Sequence, residues 1–185
     1  MALLDLILKS LYFFVPVYFA NMTPVFLAKI KYLKNLNAPM DFGAKFGKER
    51  LFGSNKTWRG FIGSIIAAIV FVFIQKALFK YDFFNSISIL NYNEANLFLL
   101  GFLFGFGAMF GDLVKSFFKR RLGKKPGSSW PIFDQLDYVI GALLFVSIIH
   151  RVSLDVILTL VIVTPFLNLL ANFLGYLLKL KKVWW

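Results

Sequence analysis

Cysteine is absent from the 185-residue chain, and histidine occurs once, at His150. The first absence excludes a disulfide framework, a thiol nucleophile and a cysteine-containing metal centre; the second excludes a metal site built from several imidazoles. Acidic residues are scarce, nine against 21 Lys and Arg. None lies in the middle of a long apolar run, where an ion pathway would need one, so a cation transporter is the weaker reading of the acids that remain. The GxxxxGK[ST] phosphate loop is missing. The first apolar run contains Pro16 and Pro24 and is not followed by an obvious small-residue cleavage site, so a removed signal peptide is not expected.

What is present is strongly apolar. Hydrophobic residues make up 59% of the chain and aromatic residues 19%, with 24 phenylalanines, against about 45 to 50% apolar residues in a soluble domain. The composition predicts an all-α integral membrane protein, and at this length the spans and their loops use the whole of 1–185 as one domain. About five spans are expected, over residues 6–28, 60–79, a third run beginning at 96, a shorter run over 138–149 that reaches membrane length if it starts near Pro131, and 154–178. Gly101, Gly105 and Ala108, with Gly107 and Gly111 as a second small pair, predict a close helix-packing seam, either within the chain or between two copies in a homodimer.

The net charge of +12 would suggest nucleic acid in a soluble protein, but here the cations are segregated. The loop over 29–59 carries eight, the stretch 111–137 six and the C-terminal tail three, whereas the loop over 80–95 carries only Lys80. The positive-inside rule then predicts an outside N-terminus, a cytoplasmic C-terminus and a cytoplasmic charged face, with Trp184 and Trp185 as interfacial anchors. The expected partner is membrane lipid and not nucleic acid.

The charged stretch GDLVKSFFKRRLGKKPGSSWPIFDQLD, residues 111–137, is the candidate active site. If the third helix continues past the glycines, Asp112, Lys115, Ser116 and Lys119 fall on one face. Asp134 and Asp137, three apart, share a face at the start of the next helix, where the helix dipole favours negative charge. Closely placed carboxylates repel unless a cation sits between them, and oxygen-only ligands select a hard ion such as Mg2+. Lys119, Arg120, Arg121, Lys124 and Lys125 suit a substrate with several phosphates. Together these point to phosphoryl or nucleotidyl transfer on a metal-bound polyphosphate. Blander readings stand beside this one: topology or headgroup contact for the basic run, or a scaffold held to anionic lipid, and a helix cap or salt bridge for each aspartate. A second constellation, Gly53 to Gly60, reads either as an ordinary helix start or as a loop offering N–H groups to a phosphate or base. It puts Lys56, Thr57 and Arg59 on the same membrane face as the aspartates.

GDLVKSFFKRR followed by DQLD resembles the membrane CTP-transferases of the CDP-diacylglycerol synthase superfamily. Lys56-Thr57-Trp58-Arg59-Gly60 and DQLD make it most similar to the archaeal branch, the CDP-archaeol synthases, and the likeness extends over the whole chain, including Pro39 to Gly43. Lys125-Pro126 replaces the bacterial KD element, the H-G-G segment is missing, and Gln135 stands where arginine would be. The resemblance implies Mg2+-dependent transfer of a cytidylyl group from CTP to 2,3-di-O-geranylgeranylglyceryl phosphate, an isoprenoid glycerol-ether lipid phosphate, releasing pyrophosphate. A CDP-diacylglycerol synthase or a polyprenol-type lipid kinase is the nearest alternative. On this resemblance Asp112, Asp134 and Asp137 match the acidic metal-site elements, Ser116 the serine after GD, Lys119 and Arg120 the KR pair, and Lys56 and Thr57 the KT element. It further implies stabilisation of phosphate charge by Lys119, Arg120 and Arg121, oriented by Ser116.

Overall fold

The computed structural model describes residues 2–177, so Lys179, Lys181, Lys182 and both terminal tryptophans lie outside the described residues. The described residues form six α-helices: α1 Leu3–Lys29, α2 Trp58–Leu78, a short α3 Asp82–Ser86, α4 Leu97–Arg121, α5 Phe133–Val146 and α6 Leu154–Leu177. A 3-10 turn at Lys31–Leu36 and a two-residue hairpin, β1 Lys45–Phe46 against β2 Glu49–Arg50, interrupt the first loop. Four helices, α1, α2, α4 and α6, are long and apolar enough to cross a membrane. α5 is also apolar but has only 14 residues, about 21 Å at 1.5 Å per residue. It ends at Val146, short of Ile149, so it stays below membrane length although it begins near Pro131, directly after Ile132, where φ is 70. Helix starts only beyond it, where Asp134 turns back to accept the Trp130 N–H at 2.6 Å.

Despite its length α5 joins the two ends of the bundle. At one end Arg121, closing α4, donates to the carbonyls of Arg50 and Leu51 in the first loop. At the other, His150, just past α5, lies 6.0 Å from the Phe13 ring in the first half of α1, and Tyr12 lies 5.9 Å from Phe84. The core between them is aromatic and aliphatic, with Phe13, Phe14, Val72, Phe104, Tyr138 and Leu160 buried. Ile62, Ile66, Val70 and Phe73 of α2 stay exposed at helical spacing, an outward apolar stripe suited to lipid.

Two prolines in α1 are accommodated by α2. Proline has no N–H to give the carbonyl four residues earlier, which in a membrane has no water to turn to. Pro24 thus orphans the Ala20 carbonyl, which accepts from Ser64 Oγ at 2.7 Å. Pro16 orphans the Tyr12 carbonyl, which accepts from Gln75 Nε2 at 2.5 Å. The two buried polar residues that interrupt α2 are therefore placed to complete α1.

The small residues of α4 lie on two seams within the chain. A Cβ on Gly101 or Gly105 would stand 2.5 and 2.6 Å from the Cα of Ile69 and Ile65 in α2. On the other side a Cβ on Gly107 would stand 2.6 Å from the Gly141 carbonyl, and one on Gly111 would overlap the Asp137 carbonyl of α5. Close backbone approach along α5 is what sets Asp137 beside Asp112.

Candidate active site

α4 runs without interruption past its glycines, so Asp112, Lys115, Ser116 and Lys119 do share a face. The Lys115 ammonium stands among all three aspartates, 3.1 Å from Asp112 Oδ1, 3.0 Å from Asp134 Oδ1 and 2.6 Å from Asp137 Oδ2. Lys119 donates to both oxygens of Asp134, at 2.8 and 3.1 Å, and to the Ser128 carbonyl at 2.6 Å, which fastens the 122–132 loop over the cluster. From the first loop Lys56 pairs with the second oxygen of Asp112. Three carboxylates and three ammoniums thus converge from α4, α5 and the segment before α2. The Asp137 carboxylate is the most enclosed, at 6% exposure, with Lys115 as its ion-pair partner.

The neighbouring residues divide between contacts to this cluster and contacts that hold loops. Ser116 is buried and its hydroxyl donates to the Asp112 carbonyl at 2.8 Å, an internal helix bond. Thr57 caps α2, its hydroxyl accepting from Gly60 N–H at 3.3 Å. Arg59, expected at the substrate, instead donates to the Leu33 carbonyl at 2.9 Å and secures the 3-10 turn. Arg121, also expected there, donates through one nitrogen to the first-loop carbonyls and lies 4.0 Å over Phe117 and 5.1 Å over Phe46, while its Nε and second Nη have no hydrogen-bond partner among the described residues. Both departures have one cause: loop carbonyls at a bundle end need donors, and Arg supplies several from one planar group. Arg120 is buried against Gly53, and its Nε has no hydrogen-bond partner among the described residues. Lys124 lies 6.0 Å over Trp130, and Lys125 is exposed.

Two residues outside the expected set organise the site. Lys115 lies on the expected face, but its position among three acids depends on how α5 packs. Asp41 is buried in the first loop and accepts from the Arg50 guanidinium and the N–H groups of Gly43, Phe52 and Gly53 at 3.0 to 3.1 Å. Burial opposes its charge, yet that guanidinium and those N–H groups hold its carboxyl well below the usual carboxylate range. The signal for it was Asp41 standing with one other acid among eight cations in the loop over 29–59.

Two cavities meet the cluster. A small one of about 40 Å³ lies between Asn55, Lys56, Thr57 and Asp112. A larger one of about 570 Å³ runs along the α4–α5 face between Val114, Phe118, Ile140 and Leu144, with Lys115 and Asp137 in its lining. The donor set suits a hard divalent ion, since three carboxylates converge on one cation and offer oxygen alone. As placed, no three acidic or histidine side chains among the described residues form a metal cluster. The Lys115 ammonium stands where the carboxylates converge.

Membrane-length helices that bring an ion-paired polar cluster and an apolar groove together at one end define a polytopic membrane enzyme. The CarS-like CDP-archaeol synthase family matches over residues 3–185. Relatives named CDP-archaeol synthase include those of Archaeoglobus fulgidus, 39% identical over 99% of this chain and 100% of the relative, and Pyrococcus furiosus, 36% identical over 97% and 98%. A solved structure described as an intramembrane enzyme for archaeal membrane lipids biosynthesis is 26% identical, with TM-score 0.65 over 90% of this chain and 94% of that one. The chain belongs to the CDP-archaeol synthase family, and with it to the cytidylyltransferases.

Proposed function

We propose that the chain transfers CMP from CTP to 2,3-di-O-geranylgeranylglyceryl phosphate in the presence of Mg2+, giving the CDP-lipid and pyrophosphate. The observation that carries this reading is the convergence of Asp112, Asp134 and Asp137 beside an apolar groove. Asp112, Asp134 and Asp137 would hold Mg2+, which when bound supplies neutralisation of triphosphate charge. A phosphate oxygen of the lipid attacks the α-phosphorus of CTP. The bond from that phosphorus to the bridging β-phosphate oxygen breaks, and pyrophosphate leaves with the electron pair. The lipid phosphate is anionic near neutral pH, so no side chain need remove a proton.

Lys56 and Lys119, paired with Asp112 and Asp134, and Arg120, buried beside Gly53, would stabilise charge on the equatorial oxygens and the leaving group. Ser116 acts through the Asp112 carbonyl that it donates to, so it is a positioning residue. The groove between α4 and α5 takes the isoprenoid tails from the side of the bilayer, bringing the headgroup to Asp137 and Lys115. The cationic loops over 29–59 and 111–137, with eight and six cations, support a cytoplasmic site.

Purified protein given CTP, Mg2+ and the lipid phosphate is expected to form CDP-lipid, with Asp134→Asn lowering turnover by about a hundredfold or more, the range for losing one electrostatic group at a reacting centre. Full activity in that variant, or no product from the wild type, overturns the reading.

A further inference from the structure

We infer that Lys115 is an exchangeable counter-ion: it holds the three aspartates together before the divalent ion arrives, competes with that ion, and moves toward the lipid groove when the ion binds. The inference rests on the reading of Asp112, Asp134 and Asp137 as metal ligands. Three observations carry it. One ammonium lies within 3.1 Å of all three carboxylates, which come from two different helices. The side chain is only 12% exposed, so the cluster is neutralised by protein charge and not by solvent ions. Lys115 also lines the α4–α5 groove, so a displaced ammonium has an open path to a place where a lipid phosphate would meet it.

The charge balance gives the exchange its reason. Asp112, Asp134 and Asp137 are matched in number by Lys56, Lys115 and Lys119, so no carboxylate of the cluster lacks an ammonium partner. Three like charges drawn together without a cation would repel, and an enclosed carboxylate left unpaired is costly. Lys115 removes that cost while the site waits. A lysine suits the task because its ammonium is a point charge on a flexible four-carbon stem, able to leave without disturbing the helix. When the divalent ion replaces it, the site gains positive charge as anionic substrates arrive.

The test is Mn2+ binding to the purified full-length protein, followed by calorimetry and by the spin signal of free Mn2+, for wild type and Lys115→Met. The expected result is Mn2+ binding at least tenfold tighter in K115M, together with a lower melting temperature without metal that Mn2+ restores. Damage to packing alone would weaken binding, not tighten it. A second measurement uses the wild type only: reductive methylation with formaldehyde, read by peptide mass spectrometry, is expected to modify Lys115 faster when Mn2+ is present. It decides the matter if K115M does not fold. Equal or weaker Mn2+ binding in K115M, or labelling of Lys115 that Mn2+ leaves unchanged, overturns the exchange and leaves the metal-site reading standing. No Mn2+ binding by either protein overturns both.

Discussion

Asp41 and Asp137 show two ways in which an enclosed carboxylate is paired. Asp137 pairs with the Lys115 ammonium, whereas Asp41 has a guanidinium and three backbone N–H groups that fix a loop. Because the folded pKa of Asp41 is depressed, its contribution to stability is complete above the ordinary carboxylate pKa of about 4 and is lost as pH falls through the folded value. Asp41→Asn is accordingly expected to speed amide hydrogen exchange at Phe52 and Gly53 at pH 7, with the gap from wild type closing in acid. A gap independent of pH would show that shape, not charge, holds the loop. At this scale the sequence made the three catalytic candidates legible, because rare acids stand out among many cations. Lys115 and Asp41 were not legible in the same way, since their roles depend on which backbone and which helix arrive beside them. The loop-carbonyl contacts of Arg59 and Arg121 were not legible for the same reason: a guanidinium bound to a loop carbonyl has the composition of one bound to phosphate.

Helices α1 and α2 depend on each other through the carbonyls that Pro16 and Pro24 leave open. Ser64→Ala and Gln75→Leu should each cost about 1 to 3 kcal/mol, the penalty for an unsatisfied buried polar group, read as a lower midpoint in a denaturant titration in detergent. Combined with Pro24→Ala, which restores the missing N–H, Ser64→Ala should lose most of its effect; undiminished cost in the double variant would show that the serine packs and does not cap. The α4 glycines separate two functions. Gly101→Ala strains the α2 seam and should cost about 1 to 3 kcal/mol, as overpacking does, with the aspartate cluster intact. Gly111→Ala pushes against the Asp137 carbonyl, so at similar stability cost it should also lower turnover by well over the loss in Gly101→Ala. Equal activity losses in the two would contradict that division. The glycine spacing was readable from the sequence as a packing seam. Its assignment to contacts within the chain, with one pair toward α2 and another toward α5, required the third dimension. The C-terminal end of α5 was the least readable feature, because an apolar run that continues to Ile149 does not disclose that the helix stops at Val146.

Across the whole molecule, apolar length marked the long helices and cation asymmetry marked the end that bears the aspartate cluster. The four membrane-length helices and the shorter apolar run of α5 were legible, while the small hairpin in the first loop was not, since two-residue strands leave no periodic signal. What the assembled bundle adds is juxtaposition: a lateral apolar groove ends where α4, α5 and the Lys56 segment bring opposite charges together. That arrangement matches a reaction joining a lipid phosphate to a water-soluble triphosphate. The measurement that tests it most directly follows two labels in parallel, CTP carrying radioactive phosphorus at either the α or the γ position, incubated with the purified protein, Mg2+ and the lipid phosphate. Cytidylyl transfer predicts that the α label enters the lipid fraction and the γ label appears as pyrophosphate; γ label in the lipid, or neither label there, would contradict it.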